Sequence, residues 1–340
     1  MPERPPERLI VALDGTPLVG PPGGIRRFTD QLLLSLRSEF PEDNYLALSD
    51  QFAPTPKGLE KRWWLYGLNR GLARSGAQVF HGTDFAVPYL SRRPSVMTVH
   101  DLSPWLEPSP ISSRVRSRAG KLLRWRIPKF IHTPSETIRR EVIETFNWPE
   151  DRIISIPLAA AAMFTPEPRE AVGPYFLYLG TLEPRKNVEI LVKAVELLDK
   201  QGIRIPLLLA GQSRPGYALD LHPSVERLGA QAEADLPRLY RNAVAVLYPS
   251  HYEGFGLPIL EAMQCGVPVV ASDIPVHHEV GGSAALYASK QDPAAWAYQM
   301  QSLLGDNTER RAASLARASQ FSWQKTARAF RDLYARCLPQ

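Results

Sequence analysis

Glu253 and Glu261 bracket the run Gly254-Phe255-Gly256-Leu257-Pro258-Ile259-Leu260. A strand is expected to end near Tyr248, a glycine loop to follow, and Pro258 to sit in the first turn of a helix, where proline is tolerated. Glycine lets backbone approach a ligand closely. The free N–H groups of a helix start bind oxygen atoms, and the dipole favours negative charge there. Glu253 would then lie in the loop and Glu261 one turn into the helix, both facing one ligand. The spacing alone suits two surface glutamates equally well. The glycines inside it, and Gly266-Val267-Pro268-Val269-Val270-Ala271-Ser272 behind it, argue for a site.

A second cluster reads Gly180-Thr181-Leu182-Glu183-Pro184-Arg185-Lys186-Asn187. Adjacent cations at a helix N-terminus oppose the dipole and call for an anion. A diphosphate would suit them, Arg185 binding bidentately and Lys186 as a point charge; a solvated basic turn is the plainer alternative. A third cluster, Thr98-Val99-His100-Asp101, closes a strand. His100 there could bond a sugar hydroxyl or a developing charge, although a strand-end histidine is more often structural. His81 and Asp84, at the preceding strand end, join Asp101 as acceptor-side candidates. Their spacing matches no helix-borne ligand pair, so no metal is expected. Finally, Pro21-Pro22-Gly23-Gly24-Ile25 opens a helix as an oxyanion cradle. Neither G-x-G-x-x-G nor G-x4-G-K-[ST] occurs, nor Asp-x-Asp, which disfavours a nicotinamide enzyme, a P-loop and one common metal–diphosphate device.

These clusters need elements to hold them. Short aliphatic runs at 9–13, 45–48, 79–81, 95–100, 131–134 and 153–156 read as strands, alternating with helical periodicity at 25–37 and, capped by Ser135, at 136–146. Proline-bearing residues 157–174 read as a linker. The pattern restarts with strands at 175–179, 205–210, 225–228, 244–247, 267–271 and 284–287, and helices at 187–200, 236–242, 258–264 and 294–304. His277 and His278 are assigned to a loop. Alternating strands and helices imply parallel sheets covered on both faces. The expected fold is α/β, with two doubly wound Rossmann-like domains and a cleft between them as the default site.

Length agrees, since 340 residues at ~150 per domain give about two domains. The formal charge of +5 is too weak to argue for nucleic acid, and 44% hydrophobic with 22% charged residues excludes disordered and fibrous classes. The 32 prolines are scattered, so they punctuate loops and helix starts rather than forming a polyproline segment. Cys265 and Cys337 alone make neither a disulfide framework nor a zinc site, and point to a reducing compartment. No apolar run approaches the ~18 residues of a membrane helix, and the polar N-terminus followed by a short apolar run is no signal peptide. A cytoplasmic protein is expected. Residues 114–129, from Arg114 to Lys129, are basic with interleaved Leu122, Leu123, Trp125 and Ile127. Such a stretch suits peripheral contact with the inner face of an anionic membrane, or simply a solvated helix face.

Together these motifs resemble the retaining glycosyltransferases of family 4, which have the GT-B fold. The resemblance runs along nearly the whole chain and is strongest over residues 175–287. Gly180-Thr181-Leu182-Glu183-Pro184-Arg185-Lys186-Asn187 and Thr98-Val99-His100-Asp101-Leu102-Ser103-Pro104 look most like mannosyltransferase-type enzymes of bacterial surface polysaccharide synthesis. The resemblance implies an N-terminal acceptor-side domain over 1–158, a C-terminal nucleotide-sugar domain over 159–321, and a last helix in 322–340 crossing back to the first domain. It implies that Arg185 and Lys186 hold a diphosphate, that Glu253 faces the sugar hydroxyls beside the backbone of Phe255, Gly256 and Leu257, and that Glu261 accepts from the ribose. Gly180 would border the donor, Gly23 and Gly24 would close over the diphosphate, and His100 would lie near sugar and acceptor. Two departures stand out: Thr181 occupies a position where many relatives carry Arg, and Leu158-Ala159-Ala160-Ala161 replaces the usual Gly-Val-Asp of the junction.

The activity so implied moves a hexose, mannose by first guess, from a GDP- or UDP-sugar to a glycan or lipid-linked hydroxyl, with no cofactor, metal or nucleic acid. No residue stands out as a covalent nucleophile, so same-face attack is expected, the departing phosphate taking the proton. The competing readings are a nucleotide-sugar epimerase or hydrolase on the same fold, a non-catalytic nucleotide-sugar-binding module, and a nucleic-acid binder suggested by the basic stretch.

Overall fold

The computed structural model describes residues 8–20, 23–52, 62–106, 113–170 and 173–339. Pro21, Pro22 and the side chain of Arg114 lie outside the described residues. Two compact units emerge: one takes the chain up to Leu158 together with the segment from Ser322, the other Ala159–Phe321.

In the first unit the order is β1 (Ile10–Asp14), α1 (Thr16–Val19), α2 (Gly24–Glu39), β2 (Asn44–Leu48), α3 (Leu68–Ser75), β3 (Val79–Gly82), β4 (Ser95–Thr98), α4 (Ser113–Arg124), β5 (Phe130–Thr133), α5 (Glu136–Phe146) and β6 (Ile153–Ser155). The strands pair in parallel in the order β2-β1-β3-β4-β5-β6. Buried parallel strands need apolar side chains on both faces, which is why β3, β4 and β5 are buried at every position. Helix α2 lays Phe28, Leu32 and Leu36 inward. The Ser135 hydroxyl accepts from the Ile138 N–H and caps α5.

The second unit runs β7 (Phe176–Leu179), α6 (Glu189–Lys200), β8 (Leu207–Ala210), β9 (Val225–Gly229), α7 (Leu236–Asn242), β10 (Ala245–Tyr248), α8 (Leu257–Gln264), β11 (Val269–Ser272), α9 (Pro275–Gly281), β12 (Leu286–Ala288), α10 (Pro293–Ser302) and α11 (Thr308–Ala318). Its parallel sheet has the order β12-β11-β10-β7-β8-β9. Its core joins Phe176, Leu191, Leu209, Leu247 and Trp296. The last helix, α12 (Trp323–Cys337), belongs to the first unit and packs on α2 through a face holding Phe330 and Tyr334. Thr326 Oγ1 donates to the Pro157 carbonyl (2.8 Å) and Arg331 Nε to Asp43 Oδ2 (2.7 Å).

Two expectations change here. His277 and His278 lie on α9, not in a loop; Pro275 at its start pre-sets the helical turn. Helix α6 begins at Glu189 rather than 187. Arg185 and Lys186 sit in a separate 3-10 turn, Pro184–Lys186, closed by Asn187 in the left-handed region at φ 53°.

Each sheet has one place where strand order reverses: between β1 and β3 in the first unit, between β7 and β10 in the second. Loops leaving the carboxyl ends of two such strands diverge and leave a crevice, where ligands of open α/β sheets bind. The expected motifs follow β7 and β10, and the glycine pair follows β1.

Candidate functional site

The loops after β7 and β10 meet in the second unit. Lys186 Nζ contacts Glu253 Oε1, and Arg185 Nη1 lies 3.4 Å from Glu253 Oε2. Ser250 Oγ donates to Glu253 Oε1 at 2.6 Å. Arg185 also bonds the Tyr252 carbonyl (3.0 Å) and pairs with Glu183 (3.1 Å), while Lys186 Nζ reaches the Tyr248 hydroxyl (3.3 Å). Asn187 Nδ2 pins the two loops together through the Pro249 carbonyl at 3.1 Å. Glu253 is buried. Burial by itself would raise its carboxyl, but Lys186, Arg185 and the bond from Ser250 outweigh it and hold the group at about 2. The carboxylate is therefore ionised at neutral pH and shares its cations with any anion that arrives.

Sequence reasoning inferred that adjacent cations needed an external anion. The structure supplies two internal ones, Glu183 and Glu253. Glu253 escaped that inference because it lies far along the chain; Glu183 stood inside the quoted motif. Arg214, from the loop after β8, adds a third cation 3.8 Å from Glu183.

Backbone shape around this point depends on glycine. A Cβ on Gly211, at φ 140°, would lie 2.0 Å from the Gly180 carbonyl oxygen, so the loops after β7 and β8 touch only because that position is bare. Gly256, at φ 103°, is the N-cap of α8, with Leu257 as its first residue and Phe255 buried before it. Glu261 is placed differently from expectation. It is fully buried, and its Oε2 accepts the Tyr240 hydroxyl at 2.8 Å, so it is not displayed beside Glu253 on one surface.

In the first unit the candidates separate. His81 is buried with both ring nitrogens engaged, by Tyr334 Oη and Thr98 Oγ1 at 2.8 Å each. Burial and the neighbouring His132 and His100 push its pKa well down. It is a neutral core histidine, and the acceptor role drawn for it does not fit. Asp101 Oδ1 accepts the N–H (2.9 Å) and hydroxyl (2.6 Å) of Ser103 and so braces the start of the following 3-10 turn. His100, half-buried, places Nε2 2.8 Å from the Thr83 carbonyl. Asp84, Gly23 and Gly24 line one cavity together with Asp14, Trp63, Trp64 and Arg118. A Cβ on Gly23 or Gly24 would meet nothing within 4 Å, so packing among the described residues does not demand these glycines. The two tryptophans and Asp14 were missed; a carboxylate ending β1 at the edge where ligands bind was the available signal.

The basic stretch also divides. Ala119, Leu122 and Leu123 of α4 are buried. Arg118 stacks over Trp64 with its guanidinium 5.0 Å from the ring centre. Past α4, Trp125 and Ile127 are exposed beside Arg124, Arg126 and Lys129. Among the described residues no helix is long and apolar enough to cross a membrane.

A family profile described as glycosyl transferases group 1 matches residues 164–320. O-antigen chain mannosyltransferase B of Escherichia coli is 40% identical over 273 residues, covering 72% of this chain and 71% of that protein. O-antigen chain mannosyltransferase RfbU of Salmonella typhimurium is 30% identical over 224 residues, covering 63% of this chain and 61% of that protein. Among solved structures, sucrose-phosphate synthase of Thermosynechococcus elongatus superposes with a TM-score of 0.76 at 21% identity, over 97% of this chain and 99% of that one. Two six-stranded parallel sheets of this topology, with that neighbour, make the fold GT-B. The chain belongs to the group 1 glycosyltransferases.

Proposed function

We propose that the chain transfers a hexose, mannose in the first instance, from a nucleoside-diphosphate sugar to a hydroxyl of a growing surface glycan, with retention of anomeric configuration. The observation that carries this reading is the convergence of Arg185 and Lys186 on Glu253 at the point where β7 and β10 part. The names of the two O-antigen relatives support mannose and a polysaccharide acceptor.

Departure of the leaving group puts negative charge on the diphosphate and positive charge on the anomeric carbon. Arg185, Lys186 and the backbone N–H of Leu257, the first residue of α8, answer the first charge, with no call on a metal. Glu253 answers the second and orients sugar hydroxyls. It is a poor covalent nucleophile, because Lys186 and Ser250 on Oε1 and Arg185 on Oε2 draw charge from the carboxylate while leaving it room to accept a sugar hydroxyl. The acceptor oxygen then attacks on the face the phosphate leaves: the carbon–phosphate oxygen bond breaks, the new glycosidic bond forms, and the acceptor proton passes to the phosphate. Gly180 borders the donor, Phe255, Gly256 and Leu257 offer backbone to it, and His100 faces the acceptor. Glu261, fully buried, holds Tyr240 behind α8 rather than meeting the donor directly.

A thermal-shift panel of GDP-mannose, UDP-glucose, GDP and UDP tests the reading, since a ligand that binds only the folded state raises its melting temperature. One nucleotide family should stabilise the protein, and Arg185→Ala with Lys186→Ala should abolish the shift. Proton NMR of the product of a productive donor then reads the anomer. No nucleotide shift, or an inverted product, defeats the proposal.

The same reading extends to a membrane-bound acceptor. Exposed Leu90 and Ile127, set among Arg92, Arg93 and Lys129, border one surface depression, and exposed Trp125 lies two residues before Ile127 in the chain. Anionic vesicles should sediment the protein and neutral ones should not, and Trp125→Ala should weaken the sedimentation; equal binding to both vesicle types removes this extension.

A further inference from the structure

Arg214 enters the charged cluster from the loop after β8, on a backbone tied to the loop after β7. The Leu182 N–H donates to the Gln212 carbonyl (2.9 Å), the Arg214 N–H donates to the Leu182 carbonyl (2.9 Å), and Leu182 pairs with Ser213 as a parallel bridge. The side chain is held less tightly. Its Nη1 lies 3.8 Å from Glu183 Oε2, too far for a hydrogen bond, and it makes no other ion pair or hydrogen bond among the described residues. Arg185, by contrast, is committed on every side. Its Nε (3.3 Å) and Nη2 (3.1 Å) both reach Glu183 Oε1, while its Nη1 serves the Tyr252 carbonyl and Glu253. A guanidinium grips a phosphate bidentately through such a pair of parallel N–H groups. Glu183 already holds the Nε–Nη2 pair.

Arg214 also carries the excess charge of this network. Arg185 and Lys186 are balanced by Glu183 and Glu253, so those four groups together are formally neutral. Adding Arg214 leaves one positive charge over. Lys290 and Glu189, the charges beside the neighbouring His251, cancel each other. Glu183 is only 8% exposed, so a diphosphate that took the Nε–Nη2 edge of Arg185 would strand a buried carboxylate. An uncompensated buried charge is strongly unfavourable. Among the described residues, Arg214 is the one other cation within 4 Å of Glu183.

We propose that Arg214 is the standby partner of Glu183: when a diphosphate takes that edge of Arg185, Arg214 swings in from 3.8 Å, claims Glu183 and lets Arg185 go. Arg214 is thus a positioning residue, acting on the anion through Glu183 and Arg185. Its backbone is fixed by the bridged loops, so the exchange needs only rotation about side-chain bonds. The proposal rests on the reading that this cluster receives the diphosphate of a donor, and deepens it by naming the residue that makes Arg185 available.

Isothermal titration of the whole protein with inorganic pyrophosphate tests the exchange, read as a double-mutant cycle. Arg214→Gln should weaken pyrophosphate about tenfold, the scale of one lost charge-assisted bond, and Arg214→Lys should restore most of that loss. Glu183→Gln should bind at least as tightly as the unaltered chain, because no carboxylate then holds Arg185. In that background Arg214→Gln should cost less than about threefold at roughly 0.15 M salt, where charges that do not touch are screened. Arg214→Met keeps the stem and covers the case in which Arg214→Gln fails to fold. An equal loss in both backgrounds means that Arg214 meets the phosphate directly, and overturns the exchange. No loss in either background, or no pyrophosphate binding by the unaltered protein, also overturns it. Turnover of nucleotide sugars on the same samples keeps the two readings apart. The expected cycle without turnover of any nucleotide sugar defeats glycosyltransfer and leaves the exchange standing; turnover with equal losses in both backgrounds defeats only the exchange.

Discussion

At Glu253, desolvation and ion pairing pull in opposite directions, and pairing wins. Glu253→Gln keeps the shape of the side chain and removes its charge. Turnover should fall roughly 10²-fold or more, the scale of losing one preorganised electrostatic partner. Affinity for the nucleoside diphosphate alone should hold or rise, because Arg185 and Lys186 lose a competing anion; isothermal titration beside initial rates reads both. A parallel drop in both quantities would mean that Glu253 only holds the loop together. Asp14 shows the opposite balance. Burial raises its carboxyl from 3.8 to about 6, against the lowering effect of bonds from Thr16. A raised folded-state pKa gives stability that is full below the unfolded value of 3.8 and is lost as pH climbs through about 6. At neutral pH the ionised group costs up to about 3 kcal/mol. Asp14→Asn should therefore raise the melting temperature at pH 7.5 and leave it unchanged near pH 3.5. Stability lost at a carboxylate that lines a cavity is the mark of a functional site.

Among the elements, α8 shows how a start signal can carry function. Gly256 at φ 103° turns the chain from the Glu253 loop into the helix, and a Cβ there would also sit 3.2 Å from Ile259 Cδ1. Gly256→Ala should cost about 1–3 kcal/mol in unfolding free energy, and more in donor affinity than a substitution elsewhere on the helix; denaturant melts and nucleotide titration separate the effects. The strands were readable because a parallel sheet buried on both faces writes continuous apolar runs, and those runs stand out between Gly and Pro. Helices with weaker signals were not. Helix α9 is short, and its adjacent histidines part company, His277 inward and His278 to solvent. Helix α11 buries only Ser314 and Ala318, so it has no apolar stripe to find. The pairing of Glu253 with Arg185 and Lys186 was legible only as two separate motifs. Which charges meet depends on strand order, and strand order is a property of the folded sheet. The same applies to Trp63, Trp64 and Arg118, which reach one cavity from distant segments.

At the scale of the whole molecule, α12 completes the first unit. Tyr334 meets His81, which meets Thr98, which lies 3.0 Å from His132 Nδ1, while His132 Nε2 lies 3.0 Å from the Ile156 carbonyl. Burial holds His132 at about 3 and His81 far below its usual value. Depressed histidines give stability that is full above about 6.5 and drains away as pH falls. Melting of the first unit should therefore soften between pH 6.5 and 5, by up to ~1.4 kcal/mol per pH unit for each histidine, and His132→Gln should flatten the profile. A chain ending at Phe321 loses the buried side chains of Trp323, Phe330, Leu333 and Tyr334. At ~1.5–3 kcal/mol each this rivals the whole stability of a domain. Limited proteolysis should then degrade the first unit and spare Ala159–Phe321; resistance of both would show that α12 is dispensable. The placement of α12 also fixes a timetable. A ribosome releases the residues up to Leu158 well before α12, the helix that packs on them, because all of Ala159–Phe321 is made in between. The unit whose chain is continuous can finish while still tethered to the ribosome. The first unit must wait for the segment from Ser322 to emerge, leaving the face of α2 that α12 covers open until then.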